Sequence, residues 1–313
     1  NGPIIGANDS NTVTFQGNDK NTRIINASVA GAPAFFINLA SYVTVRNLTI
    51  NNTGTGNSSG IGVVGTNTAS QGTKVNVINC NVNVPIQTGT SLTGYGIVYT
   101  GTAGATGLTA MRADSVLIDS NTVTGAGYSI VFFGASNSLY NRGNIFTNNT
   151  VNNSNYAGMY LLNQYNPVIV DNNTINMQGQ NYGVYGLWFP NNQNGVAGVS
   201  SRLTRNRINN FGGYGIWCSA STSSVSAGTT LIANNTVNGN STGISYPGYY
   251  GIYVTNTSTY PTNVFNNTVV MSGAGTSTTY SCLYSATSTL TNVRNNIFVV
   301  TNGSYTPAYF ATN

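Results

Sequence analysis

Apolar residues along this chain alternate with polar ones at period two. They fall in short runs, rich in Val, Ile and Thr, that Gly, Asn, Ser or Thr interrupt within a few residues. This pattern predicts short β-strands joined by tight bends and no helices. The runs also repeat. Aligned without gaps they read VTVRNLTI ending at Ile50, VNVINCNV at Val82, VLIDSNTV at Val123, NIFTNNTV at Val151, VIVDNNTI at Ile175, SRLTRNRI at Ile208, TLIANNTV at Val237, TNVFNNTV at Val269 and TNVRNNIF at Phe298. Copies recur at intervals of roughly 24 to 41 residues, within the range that marks stacked repeats.

A second motif alternates with the first: YGIVY from Tyr95, YSIVF from Tyr128, YGLWF from Tyr185, YGIWC from Tyr214 and YGIYV from Tyr250. Strands this short cannot close a core alone, and stacking them coil on coil solves the problem. Val45, Val77, Ile118, Phe146, Val170, Leu203, Ile232, Val264 and Val293 then form one inward column. The residues that end the nine copies form another. Asn47, Asn79, Asn148, Asn172, Asn234, Asn266 and Asn295 form a polar column, interrupted at Ser120 and Arg205. It is expected to stack as an Asn ladder at a left-handed bend, where an amide can bond both neighbours.

These signatures resemble the right-handed parallel β-helix repeats of the pectate-lyase-like superfold, and more narrowly those of very large secreted bacterial cell-surface proteins. The resemblance runs from about Thr12 to about Val300. It implies an all-β right-handed solenoid of nine or more coils, read as a single domain over residues 1–313. The fold hosts lyases, hydrolases, phage spikes and fibres alike, so it does not name an activity.

Composition narrows the chemistry. Only 5% of the 313 residues are charged, with ten Lys+Arg against five acids, and all five acids are Asp; there is neither His nor Glu. A Ser-His-Asp or Cys-His centre needs an imidazole, and a zinc site needs His or clustered Cys. Cys80, Cys218 and Cys282 lack metal-knuckle spacing and read as buried thiols. No metal or cofactor is expected. Ten dispersed cations make no nucleic-acid footprint, and no apolar run is long enough to span a membrane. Sequons such as Asn47-Leu48-Thr49 fall out of the repeat rather than mark glycans.

In the second motif the residue after the inward Ile or Leu points outward. Tyr160, Trp188, Trp217, Tyr253 and Tyr284 therefore line one outer face, following Gly62, Val98 and Val131. Two readings stand. Long loops fold over the face and make it a satellite core, or the rings meet a partner, either surface glycans or another protein copy.

Asp119 and Asp171 share an outward column two coils apart, about 9.6 Å between backbones. That is at the edge of the separation of about 6.5 to 9.5 Å used by inverting glycosidases. They are the only catalytic candidates, and their column otherwise varies freely. Arg112 with Asp114, and the Arg202, Arg205 and Arg207 group, read as surface pairing. The chain starts at Asn1 rather than Met, as a mature product or an excised piece would. Its first and last segments, 1–13 and 302–313, carry no capping helix, as expected either of a piece cut from a longer β-helix or of ends that dock on another copy in a filament. The expectation is a non-enzymatic extracellular or cell-surface fibre, sheath or adhesin module that self-associates. A carbohydrate-binding module is the alternative, and a polysaccharide lyase or hydrolase a more remote one.

Overall fold

The computed structural model describes residues 7–66, 72–87, 93–135, 141–165, 167–178, 185–192, 199–220, 228–240, 248–256, 261–273, 280–286, 291–301 and 306–311. These form three ten-stranded parallel sheets wound as a solenoid. Each coil contributes one strand to sheet A, then B, then C. The series begins with Val13–Gln16, Ile24–Ala27 and Pro33–Asn38 and ends with Thr291–Arg294, Ile297–Val300 and Thr306–Phe310.

Register follows the repeat. In sheet A, Val77 pairs with Val45 and Ile118, and the column continues through Phe146, Val170, Leu203 and Ile232. In sheet B, Val123 pairs with Val82 and Val151. In sheet C, Ile97, Ile130, Met159, Leu187, Ile216 and Ile252 pair in turn. All are buried in one continuous core. Fully burying a side chain of this size contributes about 1.5 to 3 kcal/mol, and each added coil extends the core by at least three such residues. At the ends Phe15, Ile24, Ile297 and Phe310 are exposed. The terminal residues 1–6, 302–305 and 312–313 lie outside the described ones.

The bend from sheet A to sheet B carries the Asn signature. Asn47, Asn79, Ser120, Asn148, Asn172, Arg205, Asn234, Asn266 and Asn295 all sit at φ between 51° and 58°, where Asn is the least strained of the ordinary residues. Hydrogen bonds run along this column in part: Asn79 Nδ2 donates to Asn47 Oδ1 at 2.8 Å and Asn172 Nδ2 to Asn148 Oδ1 at 2.8 Å.

The unbroken ladder stands one residue later. Asn149, Asn173, Asn206, Asn235, Asn267 and Asn296 each present Oδ1 to the amide Nδ2 and the backbone N–H of the Asn in the coil before, and Asn121 presents its Oδ1 to the backbone N–H of Cys80. The second N–H of each amide donates to a sheet A carbonyl of the preceding coil, for example Asn206 Nδ2 to Val170 O at 2.9 Å. The left-handed residue turns the chain so that its successor points inward, and that amide satisfies itself completely along the axis.

Sheet C departs from strict alternation. Its ladder skips the residue before each inward Ile or Leu: Tyr185 pairs with Tyr214 and Leu187 with Ile216, with Gly186 and Gly215 unpaired. A Cβ on Gly215 would lie 2.4 Å from Val237 Cγ1 and 2.5 Å from Gly251 O. The glycine therefore faces inward beside the inward Ile, at a place that holds only small residues, Ser129 and Cys282 in other coils. Two consecutive inward positions leave the flanking Tyr and the residue three later on the same outer face.

Candidate functional site

That geometry doubles the aromatic surface. Alongside Tyr160, Trp188, Trp217, Tyr253 and Tyr284 runs a second column of Tyr95, Tyr128, Tyr185, Tyr214 and Tyr250, with Tyr156 beside Ala157 where the register places a small residue. Within one coil Tyr214 and Trp217 rings lie 4.8 Å apart. The sequence pattern misses this second column because strict alternation sends the Tyr inward; the recurrent Tyr-Gly pair is the signal that could have found it.

The rings stack on one another along the axis. Tyr160 and Trp188 are 4.0 Å apart and nearly parallel, Trp188 and Trp217 5.7 Å, Tyr253 and Tyr284 4.9 Å, and Tyr284 and Tyr309 5.0 Å. Trp217 meets Tyr253 edge to face at 5.5 Å. Tyr309 thus extends the column by one rung beyond Tyr284. Burial among neighbouring rings pushes the hydroxyls of Tyr128 and Tyr160 well above the usual phenol range, and that of Tyr253 up to about 12.

Exposure rises along the column. Val98 and Val131 are fully buried and Tyr160 is 8% exposed, Trp188, Trp217, Tyr253 and Tyr284 are half-buried, and Tyr309 is 47% exposed. Cover at the first end comes from the segment after Tyr95–Thr100. Its short turn Ala103–Ala105 lies over Gly62, where a Cβ would sit 2.7 Å from Ala105 Cβ, and Leu108 packs on the same cluster. The other connections considered as cover, 179–184, 193–198, 221–227, 241–247, 257–260, 274–279 and 287–290, lie outside the described residues. Trp217 Nε1 donates to Thr255 Oγ1 at 3.3 Å, whereas the buried Trp188 Nε1 has no acceptor among the described residues.

Asp119 and Asp171 lie elsewhere, on the outer side of sheet A, with Thr147 between them in register. Asp119 accepts from Thr147 Oγ1 at 2.6 Å, Asn148 Nδ2 at 2.8 Å and Ser120 Oγ at 2.9 Å. Burial raises its carboxyl pKa, but these three donors outweigh burial and hold it below the usual range. The Arg205 guanidinium holds Asp171 down in the same sense; both Nε, at 2.9 Å, and Nη2 bond it, and Thr204 Oγ1 adds a third contact at 2.7 Å. Two carboxylates fixed in the ionised form by their own neighbours are not poised as an acid and base pair. Arg112 pairs with Asp114 at 3.2 Å.

Among the described residues no group of three or more Cys or Asp could hold a metal ion, and no helix is long and apolar enough to cross a membrane. Cys80, Cys218 and Cys282 are buried free thiols, and burial pushes the latter two up to about 12.

Residues 102–298 match the family described as right handed beta helix region. The chain belongs to this family. No curated protein matches the chain in sequence. Two solved structures are similar to it. One is full-length tailspike protein 2 from Escherichia coli O157:H7 bacteriophage CAB120, with 15% identity, TM-score 0.48, and 81% of this chain and 31% of that one covered. The other is the enzymatically active domain of bacteriophage CBA120 tailspike protein 2, with 14% identity, TM-score 0.43, and 91% and 47% covered. The chain thus spans less than half the length of either tailspike chain. At such identities and scores the likeness concerns the winding of the chain and carries no activity across.

The expectation of a non-enzymatic structural or adhesive protein is nevertheless corrected here, in both its parts. One of the similar structures is described as an enzymatically active domain. The missing His and Glu exclude imidazole and glutamate chemistry, and the step from there to an inert fibre does not follow from the family or from the fold.

Proposed function

We propose that this protein engages carbohydrate outside the cell or at its surface, along the aromatic ridge of sheet C. The observation that carries the reading is one large half-buried or exposed ring per rung from Trp188 to Tyr309. Rungs are about 4.8 Å apart, close to the length of one sugar in an extended glycan. A slipped stack leaves a strip of each ring open, while Tyr hydroxyls supply polar tips for sugar hydroxyls. None of the sheet C strands contains a charged residue, which favours neutral glycans over polyanions.

Affinity electrophoresis through gels containing neutral or acidic polysaccharides tests the proposal, with new reducing ends measured in the same mixtures. Retardation by at least one neutral polysaccharide is expected, and unchanged mobility in all of them would sink the reading. New reducing ends would extend it from binding to cleavage. Light scattering on the same samples reports whether copies also associate through this face.

A further inference from the structure

We infer that the outer face of sheet B is a separate binding surface, and that its ligand is ice. Thr150 and Asn152, Thr174 and Asn176, and Thr236 and Asn238 occupy the same two outward columns, each partly exposed. The Thr122–Thr124 strand continues the array below them. Within a strand the two outward positions are about 6.6 Å apart, and successive rungs are about 4.8 Å apart. These spacings are close to two oxygen repeats of hexagonal ice.

Rigidity is built in. Asn176 Nδ2 donates to Asn152 Oδ1 at 2.9 Å, Asn209 to Asn176 at 2.8 Å and Asn238 to Asn209 at 3.0 Å. Each such bond uses one N–H of an amide and one oxygen lone pair of the next, leaving each linked amide with polar capacity toward solvent. The threonines are β-branched and stiff at χ1, presenting hydroxyl and methyl at fixed intervals. A lattice already ordered loses little entropy in meeting another ordered lattice. The face is also nearly uncharged: among these rungs only Arg207, in the first column beside Asn209, carries a charge. Neutral groups that both donate and accept complement water held in a lattice, whereas an exposed guanidinium does not. Arg207 is therefore the flaw in the array.

Ice-crystal morphology, thermal hysteresis and recrystallisation inhibition, measured on the purified chain, test the inference. The natural protein is expected to facet growing crystals and slow recrystallisation. Thr174→Tyr and Thr236→Tyr, which place bulk on the face without touching the core, should lose both effects. Arg207→Thr should strengthen them, and Arg46→Ala on the outer side of sheet A should leave them unchanged. Circular dichroism confirms folding of each variant. Round, unshaped crystals at every concentration of natural protein would overturn the inference. So would full activity in folded Thr174→Tyr, or no gain in Arg207→Thr. The outcome is independent of the carbohydrate reading, which concerns a different sheet.

Discussion

Asn206→Asp is expected to lower the free energy of unfolding by about 3 to 5 kcal/mol at neutral pH, the usual cost of leaving a buried charge uncompensated. Asn206 is 1% exposed and makes four hydrogen bonds within the ladder. Its Nδ2 donates to Val170 O and Asn235 Oδ1, and its Oδ1 accepts from the N–H and Nδ2 of Asn173. A carboxylate keeps the two accepted bonds but has no hydrogen to donate, so two buried acceptors face a negative charge. Protonation removes the charge and restores one of the two donated bonds. The variant should therefore recover part of the loss as pH falls toward 4, the opposite trend to the natural protein. Urea unfolding at pH 7.5 and 4.5 checks this. A variant as stable as the natural chain at pH 7.5 would mean that the inner ladder contributes nothing.

The second large effect is alkaline. Burial pushes Cys218, Cys282 and Tyr253 each up to about 12, and raises Tyr99, Tyr128 and Tyr160 further. In the unfolded chain the same groups ionise near pH 8.5 for Cys and 10 for Tyr, by their usual values of about that size. Above those values the unfolded state holds fewer protons than the native one, so stability falls as pH rises. Each fully buried group, such as Cys218 or Tyr99, contributes about 1.4 kcal/mol per pH unit to the fall.

On the acid side Asp119 and Asp171, both held below their usual range, contribute stability that is present above the unfolded value of about 4 and is lost below it. Between these limits no side chain titrates, because the chain has no His and no Glu. The urea midpoint should form a plateau from about pH 5 to 8 and decline steeply above about pH 9. A slope across pH 6 to 7 would contradict the account.

The fold was legible in the sequence to the level of register. Val45, Val77 and Ile118 pair as the repeat aligns them, because each rung must place an apolar residue over the one below. The polar columns were harder. Both residues of the Asn-Asn pair recur, and only the left-handed bend decides which side chain enters the corner. A signal was present in the exceptions: the first position admits Arg205 and Ser120, as an outer site does, while the second admits Leu48 and Cys80, as an inner site does.

The outer face of sheet C was legible in one column and missed in the other. The inward glycine of Tyr-Gly-Ile breaks the period of two that the reading relied on. Cover by Ala103–Ala105 over Gly62 depends on a connection that lies outside the repeat and follows no column of it.

The central claim, that the sheet C ridge meets carbohydrate rather than merely burying itself, is tested most directly by the double variant Trp188→Ala, Trp217→Ala. Its retention on the best polysaccharide of the panel and its urea midpoint should be measured together. The account predicts that retention is lost while the chain stays folded, because these half-buried rings lie outside the continuous core that holds the coils. Retention equal to that of the natural protein in the folded double variant would contradict it.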